Sequence, residues 1–444
     1  MNTSEVRRRE IVDALRRGTV PRRGIELLAT GLDRFAPAID EELERAARGG
    51  GAFKAVRGEY GCGKTFFSRW VQQRALEKDF AVAEVQISET ETPLHRLETV
   101  YRRAVESLRT REWEEGAFRS LVDRWFFDLE EEVLAREGLP GDDAEVVAKV
   151  GELLEARLSK VSATQPMFAA VLRAVHAARL AGDASTADGL LAWLMGQPNV
   201  GAAVKRAAGV KGEIDTYTAA GFLRGLLSVL SQTGRRGLVL VLDEVETVQR
   251  MRSDVREKSL NALRQLIDEV EGGRYPGLYL VITGTPAFYE GPQGVKRLPP
   301  LEQRLHVQFA DPRWDNPRAP QIRLLAFDGA RMLEVGRKVR DLYPAASPER
   351  VAAKVDDAVL AGVAEAVAGK LGGKVGVAPR LYLRKLVLEL LDRVDQFEEF
   401  EPRAHYRVEI STAEMNADER VAAGVERSPD DIELELRAGE RDDA

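Results

Sequence analysis

Gly58-Glu59-Tyr60-Gly61-Cys62-Gly63-Lys64-Thr65 is the stretch whose reading decides the fold of this chain. It fills every fixed position of a Gly-x4-Gly-Lys-Ser/Thr phosphate loop. The apolar run Ala52-Phe53-Lys54-Ala55-Val56 precedes it and has the length of a buried strand. Phe66-Phe67-Ser68-Arg69-Trp70-Val71 follows and opens a helix. Strand, glycine loop and helix are the context the motif requires, and they argue against a glycine-rich turn with a chance lysine. Glycines let backbone N–H groups turn towards a triphosphate without a Cβ clash, and the helix N-terminus adds partial positive charge. Gly58, Glu59, Tyr60, Gly61, Cys62, Gly63, Lys64, Thr65 and Phe66 are therefore the expected nucleotide-contacting residues. Lys64 is expected to reach the β- and γ-phosphates of ATP, and Thr65 to ligate Mg²⁺.

A second motif lies far downstream. Gly237-Leu238-Val239-Leu240-Val241-Leu242 reads as a central strand buried on both faces, with Asp243-Glu244 at its end. A strand end can present both carboxylates to the cleft beside a phosphate loop. Asp243 is then the Mg²⁺ partner and Glu244 the general base that orients and deprotonates the attacking water. The strand is expected to end before Glu246, leaving that carboxylate behind the site or on the surface. Thr283 and Thr285 close the next apolar strand, Gly277 to Ile282, and either could sense the γ-phosphate or merely cap the following turn. Arg304, with Arg297 as the weaker choice, is a candidate arginine finger towards a neighbouring subunit. Arg380, beside Pro379 at a helix start, could fold onto the γ-phosphate from above; a solvated arginine is the alternative.

The elements between these motifs alternate. Strands are expected at Phe80 to Ile87 and, as a short fifth strand, at His306 to Phe309. This predicts an α/β fold: a doubly wound parallel sheet of the P-loop NTPase type. A long helical region separates strand two from the acidic strand, with helices at Leu94 to Thr110, Trp113 to Glu137, Asp143 to Val161, Gln165 to Ala181 and Ala187 to Met195. Trp113, Trp125 and Trp193 read as its core anchors. The expected division is an N-terminal helical segment (1–50), an ATPase core (51–92 and 211–320), a helical insertion (93–210), a helical lid (321–400) and a tail (401–444). Lid helices are expected at Gly329 to Leu342, Ser347 to Ala368 and Pro379 to Val394, and Pro429 to Ala444 as an acidic tail. An N-terminal helix from Ser4 to Arg17 carries Val6, Ile11, Val12 and Leu15 towards one face, and its Arg7-Arg8-Arg9 run reads as a solvated face, with a nucleic-acid contact as the alternative. Val20 to Ile25 is either a plain linker or a cover for the adenine.

The 444 residues carry 65 basic and 72 acidic side chains, a net charge of −7, which excludes a generally basic nucleic-acid coat. Cys62 is the only cysteine, so no intrachain disulfide forms, as suits a reducing cytoplasm. No apolar run approaches a membrane span. The four histidines, His95, His176, His306 and His405, show no metal-ligand spacing.

On these residues the chain resembles the AAA+ ATPases and, within them, the BrxC/BrxD-type ATP-binding proteins of bacteriophage-exclusion (BREX) systems, most closely the shorter BrxD-like members. The resemblance rests on the phosphate loop, on Gly237 to Glu246, on Ile282 to Tyr289 and on Leu301-Glu302-Gln303-Arg304, and spans the chain from about Glu5 to Asp395. It implies an AAA+ (ASCE) core with a large helical insertion and a C-terminal lid. It also implies Mg-dependent ATP hydrolysis in the cytoplasm, a homo-oligomer, and partners among other defence-system proteins acting on phage DNA. Three readings follow: an ATPase that remodels partners, a nucleotide-gated switch with little turnover, and a DNA-binding module using Arg7 to Arg23 and basic residues of the insertion.

Overall fold

The computed structural model describes residues 3–137, 144–373 and 378–425, with the backbone alone at 137, 144, 160, 162–164, 417 and 418. In chain order, helices α1 (Glu5–Arg16) and α2 (Ala36–Ala47) precede strand β1 (Ala52–Arg57), and α3 (Lys64–Glu77) leads to β2 (Ala81–Gln86). Then come α4 (Leu97–Glu106), α5 (Ala117–Glu137), α6 (Ala144–Thr164), α7 (Pro166–Leu180), α8 (Ala184–Leu194), α9 (Ala202–Ala207) and α10 (Thr216–Gln232). Strand β3 (Leu238–Asp243), α11 (Ser253–Glu271), β4 (Leu278–Gly284), α12 (Pro286–Glu290), α13 (Pro299–Leu305) and β5 (Gln321–Arg323) follow. The chain continues with α14 (Gly329–Leu342), α15 (Pro348–Lys354), α16 (Asp357–Lys370), α17 (Pro379–Lys385), α18 (Asp392–Gln396), α19 (Pro402–His405) and α20 (Ala417–Ala422).

The described residues fall into two compact units: one within 1–32, 59–66 and 324–444, the other within 33–58 and 67–323. The second holds a five-stranded, all-parallel sheet of order β2-β3-β4-β1-β5. The fold is thus α/β and compatible with a P-loop protein. Side chains alternate between its faces with the strand period of two. Phe53, Ala83, Leu240 and Leu280 enter the larger apolar core, shared with α4 to α8, α10 and α11. Trp125 and Trp193 are buried in that core, and the Trp193 indole donates to the Gly212 carbonyl at 3.1 Å. The opposite face is covered by α2 and α3: Tyr279 on β4 donates to Glu42 on α2 at 2.6 Å, and Gln72 on α3 donates to Glu84 on β2 at 3.0 Å.

A charged group lies fully inside this second face. The Lys54 ammonium, on β1, sits 2.7 Å from the Glu42 carboxylate and donates to the carbonyls of Pro317 (3.1 Å) and Ala319 (2.6 Å). Burial pushes the Glu42 carboxyl up and the Lys54 amine down. The pair pins α2 and the segment before β5 to the sheet.

The unit built on α14 to α18 has its own apolar core, which takes Ile11, Val12 and Leu15 from α1. Ser4 caps α1 by accepting from the Arg7 N–H. Val6, expected on the buried face, is 69% exposed instead. In the basic run, Arg9 pairs with Glu5 at 2.6 Å and Arg7 with Glu10 at 3.5 Å, as a solvated helix face does. The expected helix Ser347 to Ala368 breaks in two at Val355, where Asp356 caps α16 by accepting from the Val359 N–H. The chain within 401–425 forms α19, a 3₁₀ turn, Thr412–Glu414, with a capping box at Ser411/Glu414, and α20 with one at Asn416/Glu419. The expected acidic tail at Pro429 to Ala444 lies outside the described residues.

The fifth strand is a correction. His306 to Phe309 joins no ladder; the strand beside β1 is Gln321–Arg323, with Ala55 opposite Gln321. Phe309 is held by its ring instead, with the Arg57 and Arg323 guanidiniums each 5.0 Å from the ring centre. Arg57 is paired with Glu290 at 2.6 Å and Arg323 with Asp315 at 2.9 Å. The three-residue β5 has one apolar side chain and so carries almost no hydrophobic signal.

Candidate functional site

Four neighbouring parallel strands, β2, β3, β4 and β1, end on Gln86, Asp243, Gly284 and Arg57. Register pairs Gln86 with Asp243 and Arg57 with Gly284, so the four carboxyl ends lie at one edge of the sheet. Alternation then sets Gln86, Asp243 and Thr283 on the same face, the one covered by α2 and α3.

The acidic strand end is tightly determined. The buried Thr283 hydroxyl donates to Asp243 Oδ1. It also accepts the Glu244 N–H at 3.2 Å, which Asp243 Oδ1 shares at the same distance. Glu244 is in the left-handed region, φ 59° and ψ 43°, sparsely populated by residues other than glycine. The turn after β3 bends there, and a 3₁₀ helix, Val245–Arg250, follows. Gln86 Nε2 donates to Glu244 Oε2 at 2.9 Å and fixes the carboxylate. Sequence reasoning passed over Gln86; its one signal is its place as last residue of an alternating strand. Glu246 is buried rather than on the surface. It lies near the buried Tyr289 hydroxyl, which burial holds well above its usual range, with Glu246 adding to the shift.

The phosphate loop continues the chain from the end of β1, where the Gly58 N–H donates to the Gly284 carbonyl at 3.1 Å. Gly61 and Gly63 have φ of 77° and 93°. Both angles disfavour a side chain, which is why these positions are glycine. Lys64 is the first residue of α3. Its ammonium lies 4.9 Å from the centre of the Tyr60 ring and donates to the Glu59 carbonyl at 3.4 Å. The loop is thus curled around its own lysine, with Thr65 in the first turn of the helix. Phe66 packs in the apolar core of the same unit as Phe327, whose ring lies 3.8 Å from where a Gly63 Cβ would be. Cys62 is buried and its thiol is pushed up to about 11 by desolvation. It stays protonated at neutral pH and is no nucleophile.

The candidate arginines have partners of their own. Arg304, on α13, is paired with Asp268 at 2.5 Å and Glu271 at 3.1 Å, both on α11. Arg297 donates to Gln293 at 3.0 Å. Arg380, at the start of α17, donates to both Glu419 carboxylate oxygens, through Nε at 2.9 Å, and to the Glu414 carbonyl at 2.6 Å. Glu414 and Glu419 were not among the residues the sequence singled out. Thr285 is buried at the N-cap of α12, yet its hydroxyl makes no capping bond.

With this geometry in place, one comparison is decisive: the family model of the BREX system ATP-binding protein BrxC/D matches residues 3–410. The chain belongs to that family. No curated protein and no solved structure matches it. Membership in the BrxC/D family gives the chain ATP binding and a role in phage defence, with other BREX components as its partners. Among the described residues no helix is long and apolar enough to cross a membrane. No cluster of three or more His, Cys, Asp or Glu that could hold a metal occurs among them.

Proposed function

We propose that this BrxC/D-family chain is an AAA+ ATPase that hydrolyses ATP with Mg²⁺ to remodel partner proteins of the defence system on DNA. The observation that carries the reading is the acidic strand end, where Thr283 and Gln86 fix Asp243 and a backbone-strained Glu244. A carboxylate held this firmly at the carboxyl edge of a parallel sheet is positioned for chemistry rather than for solubility. The order β1-β4-β3 supports the AAA+ assignment, because it sets the threonine-bearing strand between the loop strand and the acidic strand.

The residues fit the groups they are to hold. The positive-φ glycines Gly61 and Gly63 free backbone N–H groups for phosphate oxygens, and Lys64 supplies a positive charge. Thr65 and Asp243 offer the hard oxygen donors Mg²⁺ prefers. Mg²⁺ would supply neutralisation of the charge developing on the β- and γ-oxygens. Glu244 orients the attacking water and takes its proton. Thr283 holds the Asp243–Glu244 turn, Arg380 binds the γ-phosphate from the lid, and Arg304 reaches a neighbouring subunit's phosphate after leaving Asp268 and Glu271. We retain the division into a core (51–92, 211–320), an insertion (93–210), a lid (321–400) and a tail (401–444), and a cytoplasmic homo-oligomer, as part of this reading.

The second reading, a nucleotide-gated switch with little turnover, draws on the Gln86–Glu244 hydrogen bond, which occupies one oxygen of the general base. A DNA-binding module is the weakest, since Arg7 and Arg9 already have acidic partners. The test is the Glu244→Gln variant assayed for ATP affinity and for hydrolysis, with and without DNA. Retained affinity with hydrolysis lowered about a hundredfold is expected. Hydrolysis at the parent rate removes Glu244 from its role, and negligible turnover by the parent under all conditions selects the switch.

A further inference from the structure

Arg380 is the expected lid arginine for the γ-phosphate, yet two of its three guanidinium nitrogens, Nε and Nη2, are already engaged. Glu419 accepts from Nε at 2.9 Å and from a terminal nitrogen, and the Glu414 carbonyl accepts at 2.6 Å. Glu414 also gathers the basic end of α17. Glu414 pairs with Lys385 at 2.8 Å and lies 3.6 Å from Arg384. Glu419 is itself buried, at 1% exposure, and Met415 and Ala422 enter the apolar core of α14 to α18. Two successive capping boxes, Ser411/Glu414 and Asn416/Glu419, shape the backbone so that both acids face α17. This is a built contact, with local caps, a buried acid and apolar anchors, rather than a chance surface pair.

Two further facts bear on its purpose. The family match ends at residue 410, so the segment that holds Arg380 lies immediately beyond the part of the chain the family shares. Arg380, this segment and the phosphate-loop stretch Glu59–Phe66 all belong to the same compact unit.

We propose that residues 411–425 are an autoinhibitory strap, in which Glu419 and Glu414 keep Arg380 from the γ-phosphate until the strap is released. This rests on the nucleotide reading above. A triphosphate and the strap compete for one guanidinium: three γ-phosphate oxygens offer the same bidentate geometry as the Glu419 carboxylate, with more charge. A diphosphate has no group at that position. The strap therefore lowers affinity for ATP and leaves affinity for ADP unchanged. A partner that takes up residues 411–425 would switch the ATP-bound form on.

The experiment measures affinities for mant-ATPγS and mant-ADP in the full chain, in Glu419→Gln, in Arg380→Ala and in the double variant. Gln keeps an oxygen for the Asn416 N–H that Glu419 now accepts at 2.8 Å, so the cap survives. Glu419→Gln is expected to tighten mant-ATPγS binding about fivefold with mant-ADP unchanged, the upper end for an ion pair whose arginine is partly exposed. In the Arg380→Ala background the same change should do nothing, which a merely structural Glu419 would not produce. Limited trypsin digestion of the unmodified protein supplies a second readout: ATPγS, and not ADP, should speed cleavage at Arg420. An unchanged ATPγS-to-ADP affinity ratio, or a digestion rate indifferent to the triphosphate, overturns the strap. Absence of turnover with these affinities intact overturns the hydrolysis reading instead, and leaves the ratio to decide the strap.

Discussion

Replacing Thr283 by valine removes one hydroxyl from the floor of the acidic strand end and keeps the side-chain shape. That oxygen donates to Asp243 Oδ1 and accepts the Glu244 N–H at 3.2 Å, in a site with no solvent exposure at Thr283. A hydrogen bond to a charged group contributes roughly 1.5–3 kcal/mol and a neutral one about 1 kcal/mol. The Glu244 backbone holds a left-handed conformation that costs roughly 1–2 kcal/mol for a non-glycine residue. With only the shared Asp243 Oδ1 contact left to hold it, the turn relaxes by an amount comparable to that strain. A loss of about 1.4 kcal/mol of transition-state positioning is about tenfold in rate. Thr283→Val should therefore lower single-turnover ATP hydrolysis about tenfold or more, destabilise the fold by about 2 kcal/mol, and change ATP affinity little, because the phosphate loop is untouched. Thr283→Ser, which keeps the hydroxyl, should recover most of the rate. Rapid-quench hydrolysis alongside urea melts measures both terms. Hydrolysis within twofold of the parent, or a serine variant as slow as valine, would refute the assignment of this hydroxyl as the support of Glu244.

Two other outcomes follow from buried charge. Lys54→Met strands the Glu42 carboxylate and the Pro317 and Ala319 carbonyls, and should destabilise the fold by about 3–5 kcal/mol in urea melts, whereas Lys54→Met with Glu42→Leu should recover much of this. Burial raises the Glu42 carboxyl above its ordinary 4.5, so its protonated form is the one folding favours; the deficit of the single variant should shrink as pH falls through the raised value and reach its minimum below 4.5. His176, 5.1 Å from the Phe126 ring, is lowered by burial, with Arg179 adding to the shift and Glu130 opposing it. Its stabilising contribution is complete above its ordinary value of 6.5 and is lost as pH falls towards the depressed folded value, so His176→Leu should flatten the decline of the urea midpoint below pH 6.5; an unchanged slope would refute it.

The elements legible in the sequence are those whose signal is local. Leu238 to Asp243 and Leu278 to Gly284 are continuous apolar runs because both faces of the parallel sheet are covered, and the loop motif is fixed by its glycines. What stayed hidden depends on partners distant in sequence. Gln321–Arg323 is a strand only because the β1 edge is open beside it, and His306 to Phe309, though apolar enough, is drawn into an arginine–phenylalanine stack. Gln86 reveals its role only when β2 is set next to β3, 158 positions away from Glu244 in the chain. Val6 is apolar at a helical spacing yet exposed, since the buried stripe of α1 is Ile11, Val12, Ala14 and Leu15.

The arginines show why residue type and motif position do not suffice to assign a role. Arg304 and Arg380 stand where a finger and a lid arginine are expected, and each has already been matched to acids in its own unit. The two matches differ in kind. Arg304 is half exposed and its acids, Asp268 and Glu271, sit one turn apart on α11, a surface pairing that contributes little and is easily exchanged for another partner. Arg380 faces a buried carboxylate on a segment with its own caps and apolar anchors. Freeing Arg304 needs only a competing surface; freeing Arg380 needs a whole segment to leave. If both arginines serve the nucleotide, the rate at which Arg380 becomes available is set by strap release and should not depend on protein concentration. The contribution of Arg304 should rise with concentration as copies associate. An ATPase rate per chain that is flat with concentration in Arg304→Ala, but concentration-dependent in the parent, would separate the two, and a parent rate already independent of concentration would remove Arg304 from the site.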